Sequence, residues 1–427
     1  MGTPAGDYSF YQLALVAGLQ KDYDGKVALL NRLSSKYPSS PYAINALYEK
    51  GRSYVLMNNN NQAIASFKEL LSRYPESPIS RKAAAEIGLL YYQNGNFDQA
   101  INAYKQVIEK YPGSEEARVA LQDLKSVYID LNDINSYANY VNSLGGNVRL
   151  EVSEQDSLTY IAAEKLFNRG NNEEARRSLI NYLQTFPEGA FSSNANYYLG
   201  SIAFSKKEYD EALQRFKSVI ESGDTKFLEE SVARTAEMQY LTQDFPAALE
   251  SFKRLQIIAE NPENKQAARL GIMRCALQTG QQEEAQLAAN ELLKDPKLSP
   301  EVEAEARYIR AKAYIDHKQP AKAVEDLKVL SKDTRTVHGA EAKYLLAQYF
   351  YDTNDDKNAE KILEDFAKNG TPHQYWLARG FILWADIYIR QGDDLQARAY
   401  LNNLKNNYKG DDEIAAMIED RSGKLKQ

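Results

Sequence analysis

The stretch GNFDQAINAYKQVIEKYP, Gly95–Pro112, recurs along the chain with different residues and the same spacing. NNQAIASFKELLSRYP (Asn60–Pro75) and KEYDEALQRFKSVI (Lys207–Ile220) are two further copies. With Ala100 as reference, the equivalent positions are Lys26, Ala63, Ala100, Tyr137, Ala175, Ala212, Ala248, Ala285, Ala323, Ala359 and Ala397, in steps of 36 to 38 residues. Twelve residues before each stands a second column: Ala14, Gly51, Gly88, Lys125, Ala163, Gly200, Ala236, Met273, Ala311, Ala347 and Ala385. Nine of these eleven are Gly or Ala, which lets two helices approach closely at that point. Large apolar residues follow the reference by four and seven positions, as in Phe67 and Leu70 or Phe216 and Val219. Those spacings place all three on one helical face.

Between the two small columns the chain must turn. Five residues before the reference stand Gly95, Gly170, Gly280 and Gly392, with Asn58, Asn132 and Asn354 in other repeats. These residue types accept the left-handed conformation that ends a helix. After the second helix come Tyr37-Pro38, Tyr74-Pro75, Tyr111-Pro112 and Phe186-Pro187. Proline forces the residue before it out of helical geometry, so each unit reads as helix, tight turn, helix, stop. One such pair cannot bury its apolar face alone, and stacking of neighbours supplies the core. The expected fold is all-α: an α-solenoid of about eleven helix-turn-helix repeats wound into a superhelix.

The bulk composition agrees with a long array. The chain has 427 residues, 43% of them hydrophobic, and its formal charge of −7 is spread over 52 basic and 59 acidic residues. With no long run of either sign, nucleic acid is not an expected partner. No apolar run approaches the ~20 residues that would span a bilayer. The single cysteine, Cys275, lies in the apolar-periodic LGIMRCALQ and reads as a small buried residue. The opening MGTPAGDYSF has no signal-peptide pattern and leads almost directly into the repeat, as a segment cut from a longer array would, so a removed signal or lipid anchor is compatible with it.

The fourth repeat ends in Gly145-Gly146 and a short alternation from Val148 to Val152, and Ser153 with Asp156 offers a capping box for the next helix. The expected organisation is therefore N-terminal repeats over 1–144, an interruption or hinge over 145–156, C-terminal repeats over 157–409 and a polar capping helix over 410–427.

The twelve-residue interval between small positions, and the aromatics Tyr54, Tyr91, Tyr128, Tyr314 and Tyr388 three residues past the first of them, resemble the tetratricopeptide repeat family. The resemblance covers nearly the whole chain. It departs from the family in a period near 37 rather than ~34, and in Lys26, Lys125, Tyr137 and Met273 at small positions. It implies a concave groove for extended peptides or helices, lined by the column three residues before the first small position: Tyr11, Tyr48, Tyr160, Tyr197, Tyr308 and Tyr344. With one residue a turn further on in each repeat, the candidate groove comprises Tyr48, Arg52, Tyr160, Glu164, Tyr197, Ser201, Tyr308, Lys312, Tyr344 and Gln348. Tyrosine suits interfaces by its area, low entropy and hydroxyl. It suits packing between repeats equally well. The paired Lys and Asn with which some co-chaperone members clamp a terminal carboxylate are absent. Trp376 and Trp384 suit either a partner anchor or the C-terminal end of the core.

Chemistry-bearing motifs are missing. The sequence has no phosphate loop, dinucleotide fingerprint or HExxH, and His317, His338 and His373 lack ligand spacing. Asp352, Asp355 and Asp356 read as solvated turn residues. The expectation is a non-catalytic scaffold without cofactor or metal, binding other proteins or peptides. YPSSPYAINALYEKGRSY (Tyr37–Tyr54), YPESPISRKAAAEIGLLYY (Tyr74–Tyr92) and FPEGAFSSNANYYLGSIAF (Phe186–Phe204) are similar to bacterial envelope tetratricopeptide proteins of the Tol–Pal and outer-membrane assembly lipoprotein kind. That resemblance implies a periplasmic or outer-membrane-associated place, with the cytoplasm as alternative. Two other readings stay open: a carbohydrate-binding outer-membrane protein, which the uniform repeat steps leave little room for, and an accessory region of a longer enzyme.

Overall fold

The computed structural model describes residues 6–145, 149–223, 226–410 and 412–425. They form helices only, in eleven consecutive pairs and one extra helix. The first six pairs are α1 (Gly6–Leu19) with α2 (Tyr23–Lys36), α3 (Ala43–Leu56) with α4 (Asn60–Arg73), α5 (Pro78–Gln93) with α6 (Phe97–Lys110), α7 (Glu115–Asp130) with α8 (Ile134–Ser143), α9 (Val152–Asn168) with α10 (Asn172–Thr185), and α11 (Ser192–Ser205) with α12 (Tyr209–Glu221). The remaining pairs are α13 (Leu228–Leu241) with α14 (Phe245–Ile258), α15 (Pro262–Gln278) with α16 (Gln282–Leu292), α17 (Pro300–Asp316) with α18 (Pro320–Leu330), α19 (Val337–Asp352) with α20 (Asp356–Asn369), and α21 (Gln374–Gln391) with α22 (Asp394–Asn407). The extra helix α23 (Ile414–Ser422) packs on α21 and α22.

The chain forms two compact units, Met1–Ile202 and Ala203–Gln427, and the division falls inside α11. Within each unit the stacking is that of an α-solenoid. Sequential helices pack together, and first helices of successive repeats touch, as α5 touches α7 and α13 touches α15.

The turn between paired helices carries the repeat in the backbone itself. Residues Lys21, Asn58, Gly95, Asn132, Gly170, Lys207, Gln243, Gly280, Lys318, Asn354 and Gly392 all have positive φ, between 53° and 80°. Seven were expected from their residue type. Lys21, Lys207, Gln243 and Lys318 were not, because an ordinary L-residue pays roughly 1–2 kcal/mol in this region. The packing of each helix pair imposes the turn regardless. At the other end, α2, α4, α6 and α10 stop at Tyr37, Tyr74, Tyr111 and Phe186, each followed by proline.

In two early pairs a glycine makes room for a ring on the second helix. A Cβ added at Gly51 would lie 2.3 Å from the Phe67 ring, and one at Gly88 would lie 2.6 Å from the Tyr104 ring. Phe67, Tyr104, Tyr182, Phe216 and Phe366 are among the largest fully buried side chains. Where the second helix presents leucine instead, as at Leu179, Leu327, Leu363 and Leu401, the small position holds alanine: Ala163, Ala311, Ala347 and Ala385. Close packing requires such compensation. The four departures are absorbed individually. Lys26 is buried and pairs with Glu49 at 2.5 Å, Lys125 reaches Glu154 on α9 at 3.2 Å, and Tyr137 and Met273 lie in the core.

Around the expected interruption, α8 ends at Ser143 and α9 starts at Val152, with residues 146–148 outside the described residues. The capping box does not form. Ser153 lies inside α9, whose cap is Glu151 without a side-chain hydrogen bond. Asp156 instead accepts from the Tyr182 hydroxyl at 2.5 Å and the Ala190 amide at 2.9 Å, tying α9 to α10 and the following turn. A buried carboxylate gains more from these two donors than from a helix terminus already open to water.

Candidate first-helix binding face

The tyrosine column sits where successive first helices meet. Tyr160 and Tyr344 are buried, at 3% and 6% exposure, and Tyr48, Tyr197 and Tyr308 are half-buried. The hydroxyls of Tyr160, Tyr308 and Tyr344 reach the next repeat. Tyr160 donates to Glu164 at 2.5 Å and accepts from Asn194 of α11 at 3.2 Å. Tyr308 donates to Glu341 of α19 at 2.8 Å, and Lys312 binds the same carboxylate at 3.0 Å. Tyr344 donates to Gln348 at 2.9 Å and accepts from Arg379 of α21 at 2.8 Å, with that guanidinium 4.8 Å from its ring centroid.

The rings are engaged as well. Tyr308 stacks on His338 with centroids 3.9 Å apart, Tyr48 leans on Phe67 at 5.7 Å, and Tyr197 meets Tyr198 edge-on at 5.5 Å. Burial, followed by hydrogen bonding to Glu164, raises the Tyr160 phenol well above its ordinary value; burial and Glu341 do the same for Tyr308. Burial, with the charge of Glu86 behind it, also raises Tyr48. The structure thus brings Tyr160 together with Glu164, Tyr308 with Lys312 through Glu341, and Tyr344 with Gln348. Arg52 stays exposed and Ser201 donates to the Tyr197 carbonyl at 2.9 Å.

Further polar contacts join neighbouring helices outside the tyrosine column. Tyr92, Lys165 and Arg169, from α5 and α9, converge on Asp130 of α7, with Tyr92 at 2.5 Å and Arg169 at 3.0 Å. Arg307 and Arg310 both hold the buried Asp326, at 2.9 and 2.7 Å. Glu49, Glu86 and Asp123 stand at 37-residue steps on α3, α5 and α7. Burial raises the carboxyls of Glu86 and Asp123, opposed by Arg52 at the first and by Tyr104 at the second. Their shared spacing was a visible signal, but acid columns on a helical array are usually solvated.

The remaining candidates have structural partners. His338 stacks on Tyr308, and the His373 ring bonds the Arg335 carbonyl at 3.0 Å. Asp355 caps α20. Trp376 and Trp384 pack against the core of α19 to α21. Cys275 is fully buried, and burial pushes its thiol up to about 11. Among the described residues, no cluster of His, Cys, Asp or Glu is arranged to hold a metal ion, and no helix is long and apolar enough to cross a membrane.

Four segments match sequence models of the tetratricopeptide repeat: residues 48–115 and 162–225 match one, and residues 8–40 and 381–411 match another. The chain therefore contains tetratricopeptide repeats. The left-handed turn continues with the same period through 226–380, where neither model reaches, at Gln243, Gly280, Lys318 and Asn354. No curated protein sequence matches the chain. Similar solved structures include a tetratricopeptide repeat protein from Parabacteroides merdae, 15% identical, covering 62% of this chain and 99% of that one with a TM-score of 0.30. The TPR domain of P58(IPK) is 11% identical over 98% of this chain and 97% of that one, with a TM-score of 0.26. The TPR2AB domain of yeast Sti1, solved as a complex with pHSP90, is 13% identical over 67% of this chain and 98% of that one, with a TM-score of 0.32.

Proposed function

We propose that this chain is a non-catalytic scaffold that binds partner proteins or peptides along its first-helix face, in the bacterial cell envelope. The observation that carries the binding role is the tetratricopeptide repeats themselves, since stacked repeats offer extended surfaces and are typically interaction modules. The first helices add polar side chains at the repeat spacing, among them Arg52, Glu164, Lys312 and Gln348, between rings already fixed by neighbouring repeats. Preorganised side chains lose less entropy on binding. The envelope assignment rests on the similarity of the YPxS-containing segments to envelope tetratricopeptide proteins.

Site-specific photocrosslinking in intact cells tests the face. A crosslinker at Ser201, Lys312 or Gln348 should give discrete adducts, and one at Asn102 or Lys217 on second helices should not. Equal labelling from both sets, or labelling from second helices alone, would overturn the assignment. Fractionation of the product of the full-length gene tests the location. Recovery with the cytoplasm would remove the envelope part and leave the binding face standing.

A further inference from the structure

The junction between α9 and α11 is filled by aromatic rings. Tyr160 stacks flat on Phe191, with centroids 4.5 Å apart and planes 2° from parallel, and meets Tyr182 edge-on at 5.9 Å. Glu164 collects the hydroxyls of Tyr160 at 2.5 Å and Tyr198 at 2.8 Å, and Asn194 completes the set.

The same six positions recur 73 residues further on, two repeats away, with different occupants. Tyr160, Glu164, Tyr182, Phe191, Asn194 and Tyr198 become Ala233, Glu237, Leu255, Asn264, Ala267 and Gly271. All six of these line a cleft of about 550 Å³ between α13 and α15. The four rings are gone. The carboxylate that received the hydroxyls of Tyr160 and Tyr198 is retained as Glu237, held at the cleft by Arg234 at 3.0 Å. The base is apolar and already packed: Leu255 and Phe252 are buried, and Phe252 leans onto Gly271, where an added Cβ would lie 2.4 Å from its ring. The cleft is therefore the seat of an aromatic cluster with its walls and acceptor, without those four rings and with Tyr240 kept at its edge.

We propose that this cleft receives an aromatic side chain, tyrosine or tryptophan, carried by a segment of a partner protein. The proposal rests on the scaffold reading above and names the side chain that the scaffold takes. A phenol O–H or an indole N–H would donate to Glu237 as Tyr160 donates to Glu164, while the ring packs against the partly exposed Ala233, Tyr240 and Leu270 of the cleft wall. An aromatic ring brings the largest apolar area for the fewest rotors, which is why such residues anchor interfaces. The charges at the cleft select against an anionic form. Glu230, Glu237 and Glu263 outnumber Arg234 and Arg274, and both arginines are already ion-paired, Arg234 with Glu230 and Glu237 and Arg274 with Glu305 at 2.7 Å. A neutral ring fits this balance and a phosphorylated tyrosine does not.

Ligand-observed saturation-transfer NMR on the full chain tests it, with N-acetyl-tyrosinamide, N-acetyl-tryptophanamide and N-acetyl-leucinamide as probes. Both aromatic amides should bind and the leucine amide should not. Ala233→Tyr, which restores the ring from within, should weaken aromatic binding by about tenfold or more. Ala267 is exposed, so Ala267→Tyr closes the mouth without entering the core and guards against misfolding of the first variant. It should weaken binding likewise, and Lys217→Ala, an exposed second-helix change, should leave it unchanged. Absence of aromatic binding, equal binding of the leucine amide, or undiminished binding by both tyrosine variants would overturn the proposal. Crosslinks from the first-helix face without fragment binding would sink the cleft alone; loss of both would sink the scaffold reading with it.

Discussion

The α9–α11 junction and the α13–α15 junction share a backbone plan and differ in what fills it. Each joins two first helices over one second helix, and each first helix ends in a left-handed residue, Gly170 after α9 and Gln243 after α13. One is closed by Tyr160, Tyr182, Phe191 and Tyr198, and the other is a cleft walled by Ala233, Glu237, Ala267 and Leu270. The difference teaches that the fold of a repeat does not depend on a filled junction. Stability in a solenoid is close to a sum of repeat and nearest-neighbour terms, so an unfilled interface costs locally and leaves the array standing. A junction can thus be spared for binding.

The largest expected effect breaks the closed junction. Tyr160→Ala removes a ring that is 3% exposed and should cost about 3–5 kcal/mol in urea or thermal unfolding. A loss under about 1 kcal/mol would mean that the ring is presented to partners and not to the core.

A second experiment probes the floor of the open junction. Gly271→Leu would force Phe252 out of its place and should cost about 1–3 kcal/mol, read as a lower urea midpoint. An unchanged midpoint would show that Phe252 swings away freely and that the floor is not preformed.

The turns allow a paired test of the shared backbone. Gly170→Ala places a side chain at φ 80° and should lose about 1 kcal/mol. Gln243→Gly relieves the same conformation at φ 62° and should gain about 0.5–1 kcal/mol, less what glycine adds to the entropy of the unfolded chain. Opposite signs from the two thermal shifts would confirm that the two turns are equivalent. Equal signs would break the comparison.

The smallest effect is on pH dependence. Burial, then hydrogen bonding to Glu164, raises the Tyr198 phenol to about 12, and burial raises that of Tyr160 further. Each phenol is held neutral in the fold and ionises near pH ~10 once unfolded. The contribution is complete below about pH 10 and declines above it as the unfolded state releases protons first. Stability of the chain should therefore fall through this alkaline range, and Tyr198→Phe should fall less. A phenolate titration in which both tyrosines ionise at their ordinary value would contradict the closed junction.

Much of the architecture was legible because it is written at short range. The Gly and Asn turns, the Tyr-Pro stops and the small columns each follow from the local conformational limits of one or two residues. The turns at Lys207 and Gln243 were not legible, since neither residue favours positive φ and only the packing of the helix pair holds them there. The capping box at Ser153 was misread for a related reason: Asp156 found better donors on another helix. At the candidate site, the sequence placed the tyrosines in one column but could not name their partners. Glu341 and Arg379 lie 33 and 35 residues beyond Tyr308 and Tyr344, in the next repeat.

By itself, then, the sequence determined the helix pairs, their period and the face that carries the tyrosines. Each of these depends on spacing within a helix or on the limits of a turn, and a repeated pattern states them eleven times. Only the tertiary structure decided which junction is filled and which is open. That outcome depends on side chains from three helices meeting in one volume, and no single column, not even Ala233 alone, carries it without Leu255, Asn264 and Gly271 beside it.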